Sequence, residues 1–341
     1  RNKLDTLFLH MADGVVAFDR EGAVIHVNPA AERMLRRTIG EGDSYGGIFG
    51  TLFPFEQVES APAPLSAELA VDGQALELLM APFARANQGG VLVLIHDVTE
   101  QRAAEQMRKE FVANVSHELR TPLTNIRSYA ETLEDGYGEL PPDTARSFLG
   151  VILSESDRMT HIVQDLLTLS RFDSGRSELN ITRFPFGKAV QDTYQAFLMD
   201  AQKHAHTLTL DMPDDLPEIL ADRERVVQVM VNIVSNAVKY TPDGGTIVIS
   251  AGTAGDKVWM QVDDNGIGIP AGDRSRIFER FYRVDKARSR QSGGTGLGLS
   301  IAKEIMALHK GDLYLVDKEG PGLTIRMELP VNGPGTEAAH G

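Results

Sequence analysis

The chain has 341 residues, of which 42% are hydrophobic and 24% charged, enough for two or three globular domains with cores of their own. Its formal net charge of -14 argues against nucleic acid as a partner, because binding to a phosphate backbone needs clustered lysine and arginine. The absence of cysteine excludes disulfides, thiolate catalysis and cysteine-ligated metals. Apolar runs stay well short of the roughly 20 residues of a membrane helix, so we expect membrane attachment only through a segment outside this chain.

The first part of the chain carries the pattern of a small sheet followed by a helix. Two β-rich runs, 14–19 and 23–27, flank a short turn and are predicted to pair as a hairpin. Asn28 and Pro29 then supply a cap and a first-turn proline for a helix that runs to Leu35.

Further strands follow a loop-like stretch over residues 41–64. Two strands are predicted within 67–83 and a last strand over 90–96, before Asp-Val-Thr-Glu at 97–100 leads into a helix. This order of elements resembles a PAS sensor domain, which the resemblance places over residues 1–99. Its signal or ligand is left open by the sequence.

Two long helices are predicted after residue 100, because apolar residues recur at steps of three and four. The first stripe consists of Met107, Phe111, Val115, Leu119, Pro122, Ile126, Tyr129 and Leu133. After a breaker-rich turn, the second stripe consists of Phe148, Ile152, Met159, Ile162, Leu166 and Leu169. A hairpin of this kind buries its apolar faces most simply against a second copy, so we expect residues 100–175 to form a homodimeric four-helix bundle.

A histidine and a carboxylate stand side by side on the first of these helices. His117 comes two residues after the stripe position Val115, so it is predicted to face solvent, as suits a nucleophile. Thr121 lies one helical turn beyond His117 on the same face. A His-Glu-x-x-His zinc site would need histidine at 121, so that alternative fails. Together with the nucleotide motifs downstream, His117 and Glu118 predict a phosphorylated histidine.

The second half of the chain carries motifs typical of a nucleotide site. The helical segment 228–240 places Asn232, Asn236 and either Lys239 or Tyr240 on one face. Amides aligned in this way present oxygens to hydrated Mg²⁺, while the lysine meets phosphate.

Two glycine-rich segments complete the nucleotide motifs. Asp264 follows the strand 258–262 and precedes glycines that let backbone approach a ligand, so its carboxylate is predicted to accept a hydrogen bond from an exocyclic amine such as that of adenine. The stretch 292–299 opens a helix, whose N–H groups and dipole suit phosphate. P-loop, Rossmann and Ser/Thr-kinase spacings do not occur in the sequence.

The joint order of these motifs resembles the sensor histidine kinases over about residues 100–331. The matching segments are the H box at 111–123, the N box at 228–240, the G1 box at 264–269, the F box at 277–283 and the G2 box at 294–299. The resemblance implies a multidomain α+β fold: the PAS-like sheet with helices, the helical hairpin and a gyrase-like α/β sandwich over 178–331. Residues 332–341 are expected to form a flexible tail.

The resemblance also assigns residues to ATP and Mg²⁺. Asn236 is implied to hold Mg²⁺ and Asp264 to read adenine. The other implied nucleotide-lining residues are Asn232, Lys239, Tyr240, Gly266, Gly268, Ile269, Gly294, Thr295, Gly296, Leu297, Gly298 and Leu299. A lid over 284–294 contributes basic residues that are implied to reach the γ-phosphate, namely Lys286, Arg288 and Arg290.

The implied activity is that of a bacterial two-component sensor kinase, similar to cell-wall or phosphate-response kinases. His117 would be phosphorylated by ATP, with Glu118 accepting a hydrogen bond from its other ring nitrogen, and would pass the phosphoryl group to an aspartate of a response regulator. Thr121 would orient water for phosphatase activity toward that regulator. The chain would be the cytoplasmic portion of an inner- or plasma-membrane protein.

Two alternatives share part of this pattern. A gyrase-like ATPase would use the same nucleotide boxes but not the H box, and a non-catalytic dimeric scaffold would need only the helical stripes and the PAS-like part. The identity of the regulator stays open, as does the choice between phosphorylation within one subunit and across the dimer.

Overall fold

A computed structural model describes residues 2–40, 42–85, 88–175, 178–284 and 294–335. The chain divides into two compact units, Arg1–Val112 and Ala113–Gly341. Across the described residues, no helix combines the length and apolar character needed to cross a membrane.

The first unit is a five-stranded antiparallel sheet with short helices. Its elements are α1 (Asn2–His10), β1 (Gly14–Asp19), β2 (Val24–Val27), α2 (Pro29–Leu35), α3 (Tyr45–Phe49), α4 (Phe55–Glu59), β3 (Leu65–Val71), β4 (Gln74–Arg85) and β5 (Gln88–Asp97). The strand order is β2-β1-β5-β4-β3, and every neighbouring pair is antiparallel. The predicted β1–β2 hairpin is therefore confirmed.

Local hydrogen bonds explain where the helices of this unit begin. Asn28 caps α2, since its Oδ1 accepts from the backbone N–H of Ala31 at 3.0 Å, as predicted. The expectation of loop over 41–64 was wrong in part, because Ser44 caps α3 and apolar side chains of α3 and α4 enter the core. The aromatic part of that core consists of Phe18, Tyr45 and Phe49.

The helical hairpin consists of α5 (Thr99–Asp135) and α6 (Pro142–Asp173), which confirms the two predicted helices. The rings of Tyr129 and Phe148 meet edge-on with centroids 5.1 Å apart, and Ile162 and Leu169 are buried. Met107 is the exception among the predicted stripe residues, because 64% of it is exposed.

The remainder of the second unit, here called the ATP-binding part after the role that the resemblance implies, is a sheet covered by helices. Its elements are β6 (Thr182–Pro185), α7 (Phe186–Lys203), β7 (Thr207–Asp211), β8 (Glu218–Ala221), α8 (Arg223–Tyr240), β9 (Thr246–Ala254), β10 (Lys257–Asp264), α9 (Gly298–Leu308), β11 (Asp312–Leu315) and β12 (Leu323–Pro330). The main sheet has the order β11-β12-β10-β9-β7, with β7 parallel to β9. Helix α8 packs against both α7 and α9, and all three helices contact this sheet, so the α+β prediction is confirmed.

The alternation of side chains along β10 shows where the core lies. Val258, Met260 and Val262 are buried at every second position, as expected for a strand with one face on a core. The same alternation brings Asp264, the last residue of β10, to the buried face. The glycine-rich G1 segment begins at this end of β10.

Candidate nucleotide and phosphoacceptor site

Helix α8 is positioned by its cap and by an apolar face. Asp222 caps the helix, with Oδ1 accepting from the backbone N–H of Arg225 at 3.2 Å. The buried face consists of Val226, Val229, Met230, Ile233, Val234, Ala237 and Val238. The predicted nucleotide residues of this helix are all half-buried, and they are Asn232, Asn236, Lys239 and Tyr240.

Asp264 is held by backbone donors at the end of β10. The residue is only 8% exposed, and its Oδ1 accepts from the N–H of Gly266 at 2.9 Å and of Leu323 at 3.2 Å. Burial raises the pKa of its carboxyl, because desolvation disfavours the charged form. These hydrogen bonds therefore fix a buried acceptor at the end of the central strand β10.

The G1 segment approaches the end of α8 so closely that it requires glycine. A Cβ at Gly266 would lie 2.5 Å from the carbonyl oxygen of Tyr240. The N–H of Ile267 donates to that same oxygen at 3.2 Å, and Gly268 has a φ of 66°, which favours glycine. The two predicted motifs, N box and G1 box, are thus joined by backbone contacts.

The G2 segment meets the same helix from the other side. Asn232 donates from Nδ2 to the carbonyl of Gly298, at the start of α9, over 2.9 Å. The carbonyl of Gly296 accepts from the N–H of Phe281 at 2.9 Å, which ties the F box to the G2 box. Gly296 itself has a φ of 73°. The structure therefore brings the N, G1, F and G2 segments together.

Lys239 lies beside Gly294, the last residue of the predicted lid. A Cβ at Gly294 would meet its Nζ at 2.3 Å, and the ammonium stands 5.1 Å from the ring centroid of Tyr240. Burial lowers the pKa of Lys239 to about 8, and the nearby positive charges of Arg283 and Arg158 add to the effect. Lys239 and Arg283 thus bring two positive charges together here, which favours an anionic group, whereas the charge of Arg158 is paired with Glu118 and Glu155.

The phosphoacceptor motif lies on α5 in the same unit. His117 is exposed, as predicted. The hydroxyl of Thr121 donates to the carbonyl of His117 at 3.2 Å. Glu118 is half-buried, and its Oε2 accepts from Nη2 of Arg283 at 2.8 Å and from Nη2 of Arg158 at 3.2 Å. The predicted bond from the His117 ring to Glu118 stays a prediction, since the described donors to this carboxylate are two guanidinium groups.

Further contacts that sequence reasoning missed join the ATP-binding part to α6. Arg280 donates to both carboxylate oxygens of Asp173, at 2.8 and 2.6 Å, and Thr295 donates to Asp165 at 3.3 Å. These partners are more than one hundred residues apart in sequence, so periodicity gives no signal for them. The basic lid residues predicted from the sequence, Lys286, Arg288 and Arg290, lie outside the described residues.

Three family models match separate parts of the chain. The PAS domain model matches residues 2–66, the His Kinase A (phospho-acceptor) domain model matches 107–175, and the model for histidine kinase-, DNA gyrase B- and HSP90-like ATPases matches 221–333. The second match contains the predicted H box, and the third contains the predicted N, G1, F and G2 boxes.

Curated relatives match along almost the whole chain. The sensor histidine kinase WalK of Bacillus subtilis strain 168 is 39% identical, over 97% of this chain and 55% of the relative. The sensor protein kinase WalK of Staphylococcus aureus is 35% identical, over 97% of this chain and 81% of the relative. The chain therefore spans little more than half the length of the Bacillus relative.

Solved structures share the fold. The histidine kinase ThkA in complex with response regulator protein TrrA superposes with a TM-score of 0.54 at 24% identity, over 94% of this chain and 96% of that one. The Acinetobacter baumannii histidine kinase AdeS gives a TM-score of 0.52 at 25% identity, over 63% of this chain and 98% of that one. At this identity the ThkA match supports the arrangement of elements alone.

Proposed function

The chain belongs to the sensor histidine kinase family, and from this premise we propose that it transfers the γ-phosphoryl group of ATP to His117 and then to an aspartate of a response regulator. The observation that carries the proposal is the 2.8 Å ion pair between Glu118 and Arg283. It joins the residue next to the acceptor histidine to the F box, which is itself bonded to the G2 box. Acceptor motif and nucleotide motifs thereby lie in one compact unit.

The proposed reaction is an in-line attack by a neutral imidazole. One ring nitrogen of His117 forms the N–P bond while the bond from phosphorus to the ADP oxygen breaks. Glu118 accepts a hydrogen bond from the other ring nitrogen, so the attacking nitrogen keeps its lone pair and the developing imidazolium is stabilised. Both arginine bonds of Glu118 are made to Oε2, so its second carboxylate oxygen can accept from the imidazole.

The proposed nucleotide contacts follow from the positions along α8 and β10. Lys239 and Arg283 attract the phosphates, since both cations lie where the G2 box meets α8. Asp264 accepts from the exocyclic amine of adenine, because its Oδ1 is already held by backbone donors and the carboxylate has a second oxygen. The N–H groups at the start of α9 face phosphate.

The donor set fits Mg²⁺ as the cofactor. Asn236 is a half-buried amide one turn beyond Asn232 on α8, and Mg²⁺ in phosphate sites takes few protein oxygens beside phosphate and water. The ion, when bound, neutralises charge on the triphosphate. Asn236 would hold it, and Lys239 would meet the phosphates beside it.

We propose a second copy of this chain and a response regulator as partners. Large apolar side chains along one stripe of α6 are exposed, namely Leu149, Leu153, Val163 and Leu167, and a two-fold partner hairpin would cover them. The structural neighbour ThkA was solved with response regulator protein TrrA, and the same class of partner is proposed here. Thr121 is proposed to orient water during dephosphorylation of that regulator.

The division of the chain into domains is likewise a proposal. Sensor, hairpin and ATP-binding domains are proposed over 1–99, 100–175 and 178–331, with a tail over 332–341. The sensor domain is supported by the family model over its first two thirds. Attachment of the whole protein to a membrane, with this chain on the cytoplasmic side, stays a prediction.

Incubation with γ-labelled ATP tests the proposed function against its two alternatives. Label on the protein that is labile in acid and stable in base is expected for a phosphorylated histidine. Release of free phosphate without protein label would support a gyrase-like ATPase. Formation of neither labelled protein nor free phosphate would support a non-catalytic scaffold.

A further inference from the structure

Arg158, on α6, is almost fully enclosed, donates a hydrogen bond to one carboxylate and lies within ion-pair distance of a second. Its side chain is 12% exposed, with Nη2 3.2 Å from Glu118 Oε2 and Nη1 3.7 Å from Glu155 Oε2. Glu155 in turn accepts from Nδ2 of Asn125, on α5, at 2.8 Å. A polar chain therefore runs within the hairpin from Asn125 through Glu155 and Arg158 to the carboxylate beside His117.

We propose that Arg158 is a positioning residue for phosphorylation of His117, an inference that rests on the proposed function. From within the hairpin, its guanidinium holds the Glu118 carboxylate beside the neighbouring His117. Its planar guanidinium is suited to this task, because two separate nitrogens reach two separate carboxylates. Glu155, itself hydrogen-bonded to α5 through Asn125, attracts the other arm of the guanidinium as an ion-pair partner.

The two arginine partners of Glu118 belong to different parts of the unit. Arg283 comes from the ATP-binding part, and its Nη2 also donates to the carbonyl of Gly294. Its bond to Glu118 thus depends on docking of that part. Arg158 belongs to the hairpin and remains beside Glu118 throughout, so it is the partner that can steer the carboxylate.

The placement of Arg158 is costly in free energy, which argues for a role beyond filling space. A nearly buried guanidinium loses hydration, and a buried ion pair returns that loss only with full hydrogen bonding. Within the described part of the chain, Nε of Arg158 is buried without an acceptor. An apolar side chain of similar length would join the two helices at lower cost.

Three variants of the full chain test the inference by initial rates of His117 phosphorylation. Arg158→Met keeps the length of the side chain and removes its charge, Arg158→Lys keeps a charge without the planar fork, and Arg127→Met is the control. Arg127 pairs with Glu131 on the exposed surface of α5. We expect kcat to fall about 10- to 100-fold in Arg158→Met, since a misplaced general base forfeits part of its effect, while KM for ATP and affinity for a fluorescent ATP analogue stay within about twofold.

The accompanying results decide between a positioning role and a merely structural one. Arg158→Lys is expected to recover part of the lost rate, and Arg127→Met to match the unsubstituted chain. An unchanged kcat in Arg158→Met, an equal loss of nucleotide affinity, or a Lys variant no faster than the Met variant would each overturn the inference. If the unsubstituted chain takes no histidine label at all, the proposed function fails instead, so the two failures are distinct.

Discussion

The helical hairpin and the ATP-binding part differ in how they bury their apolar residues. On α6, Leu149 and Leu153 are 53% and 66% exposed, whereas the apolar face of α8 is closed against its own sheet and helices. The hairpin is therefore an open element, which we propose is completed by another copy, and the apolar face of α8 is closed within the ATP-binding part. The proposed chemistry follows the same division, because the proposed acceptor His117 is exposed on the hairpin and the proposed adenine-binding Asp264 is buried in the closed part.

The largest effect that would sharpen this comparison is expected at Asn236. Asn236→Asp changes the charge and donor capacity at the proposed Mg²⁺ position, so the phosphorylation rate should fall at least about 100-fold, while the hairpin still dimerises. Initial label incorporation and light scattering measure the two properties. Asn180→Asp, at an exposed position, serves as the matched control, and a near-normal rate in Asn236→Asp would remove Asn236 from the metal site.

A charge on the exposed stripe of α6 should weaken the proposed dimer without lowering nucleotide affinity in the ATP-binding part. Leu153→Glu is expected to weaken dimerisation about 10- to 100-fold, because burial of a leucine contributes about 1.5–3 kcal/mol. Nucleotide affinity should stay within about twofold. Met199→Glu, on α7 and 71% exposed, controls for a charge at a lone apolar site. Equal dimer loss in both variants would show that the stripe is not the interface.

We expect Lys239 to make nucleotide affinity depend on pH. Its pKa is lowered to about 8, so the ammonium loses its proton as pH rises through that value and the attraction for phosphate declines. Between about pH 7 and about pH 9 affinity should fall up to about tenfold, the worth of one charged hydrogen bond, and binding above pH 8 should take up protons. Titration calorimetry in buffers of different ionisation enthalpy measures both. Lys239→Arg should abolish the pH dependence, and a persistent dependence there would assign it to another group.

The smallest effect expected lies outside both regions, in the first unit. The pKa of His96 is raised by its hydrogen bond to Asp13, 2.6 Å away, so the pair stabilises this unit below pH 6.5 and the contribution is lost as pH rises through the raised pKa. Because both groups are largely solvated, the melting temperature should change by less than about 2 °C. NMR titration should show the pKa of His96 falling toward its ordinary value in Asp13→Asn. An unchanged pKa of His96 in that variant would show that Asp13 does not raise it.

The sequence predicted what local chemistry dictates. The cap at Asn28 and the two long helices each depend on residues within a few positions, and the structure agrees with them. The two helices of α3 and α4 were missed, because helices of five residues have too little periodicity to register. The stripe through Leu153 was missed since the pattern predicted only one apolar seam per helix.

Long-range polar contacts could not be predicted from the sequence at all. Arg158 and Arg283 stand on polar helix and loop segments where a charged residue is ordinary, and only the folded chain brings them to Glu118. From the sequence, Glu118 was expected to accept a hydrogen bond from His117 alone, because the two residues are neighbours. Its competing partners come from forty and more than one hundred residues away.

We propose above all that the closed ATP-binding part binds the nucleotide and that His117 on the open hairpin receives its phosphoryl group. His117→Gln tests it most directly, with label from γ-labelled ATP and affinity for a fluorescent ATP analogue measured on the same preparation. The variant is predicted to take no acid-labile label while it binds the analogue within about twofold of the unsubstituted chain. Acid-labile label that persists on His117→Gln would contradict the account.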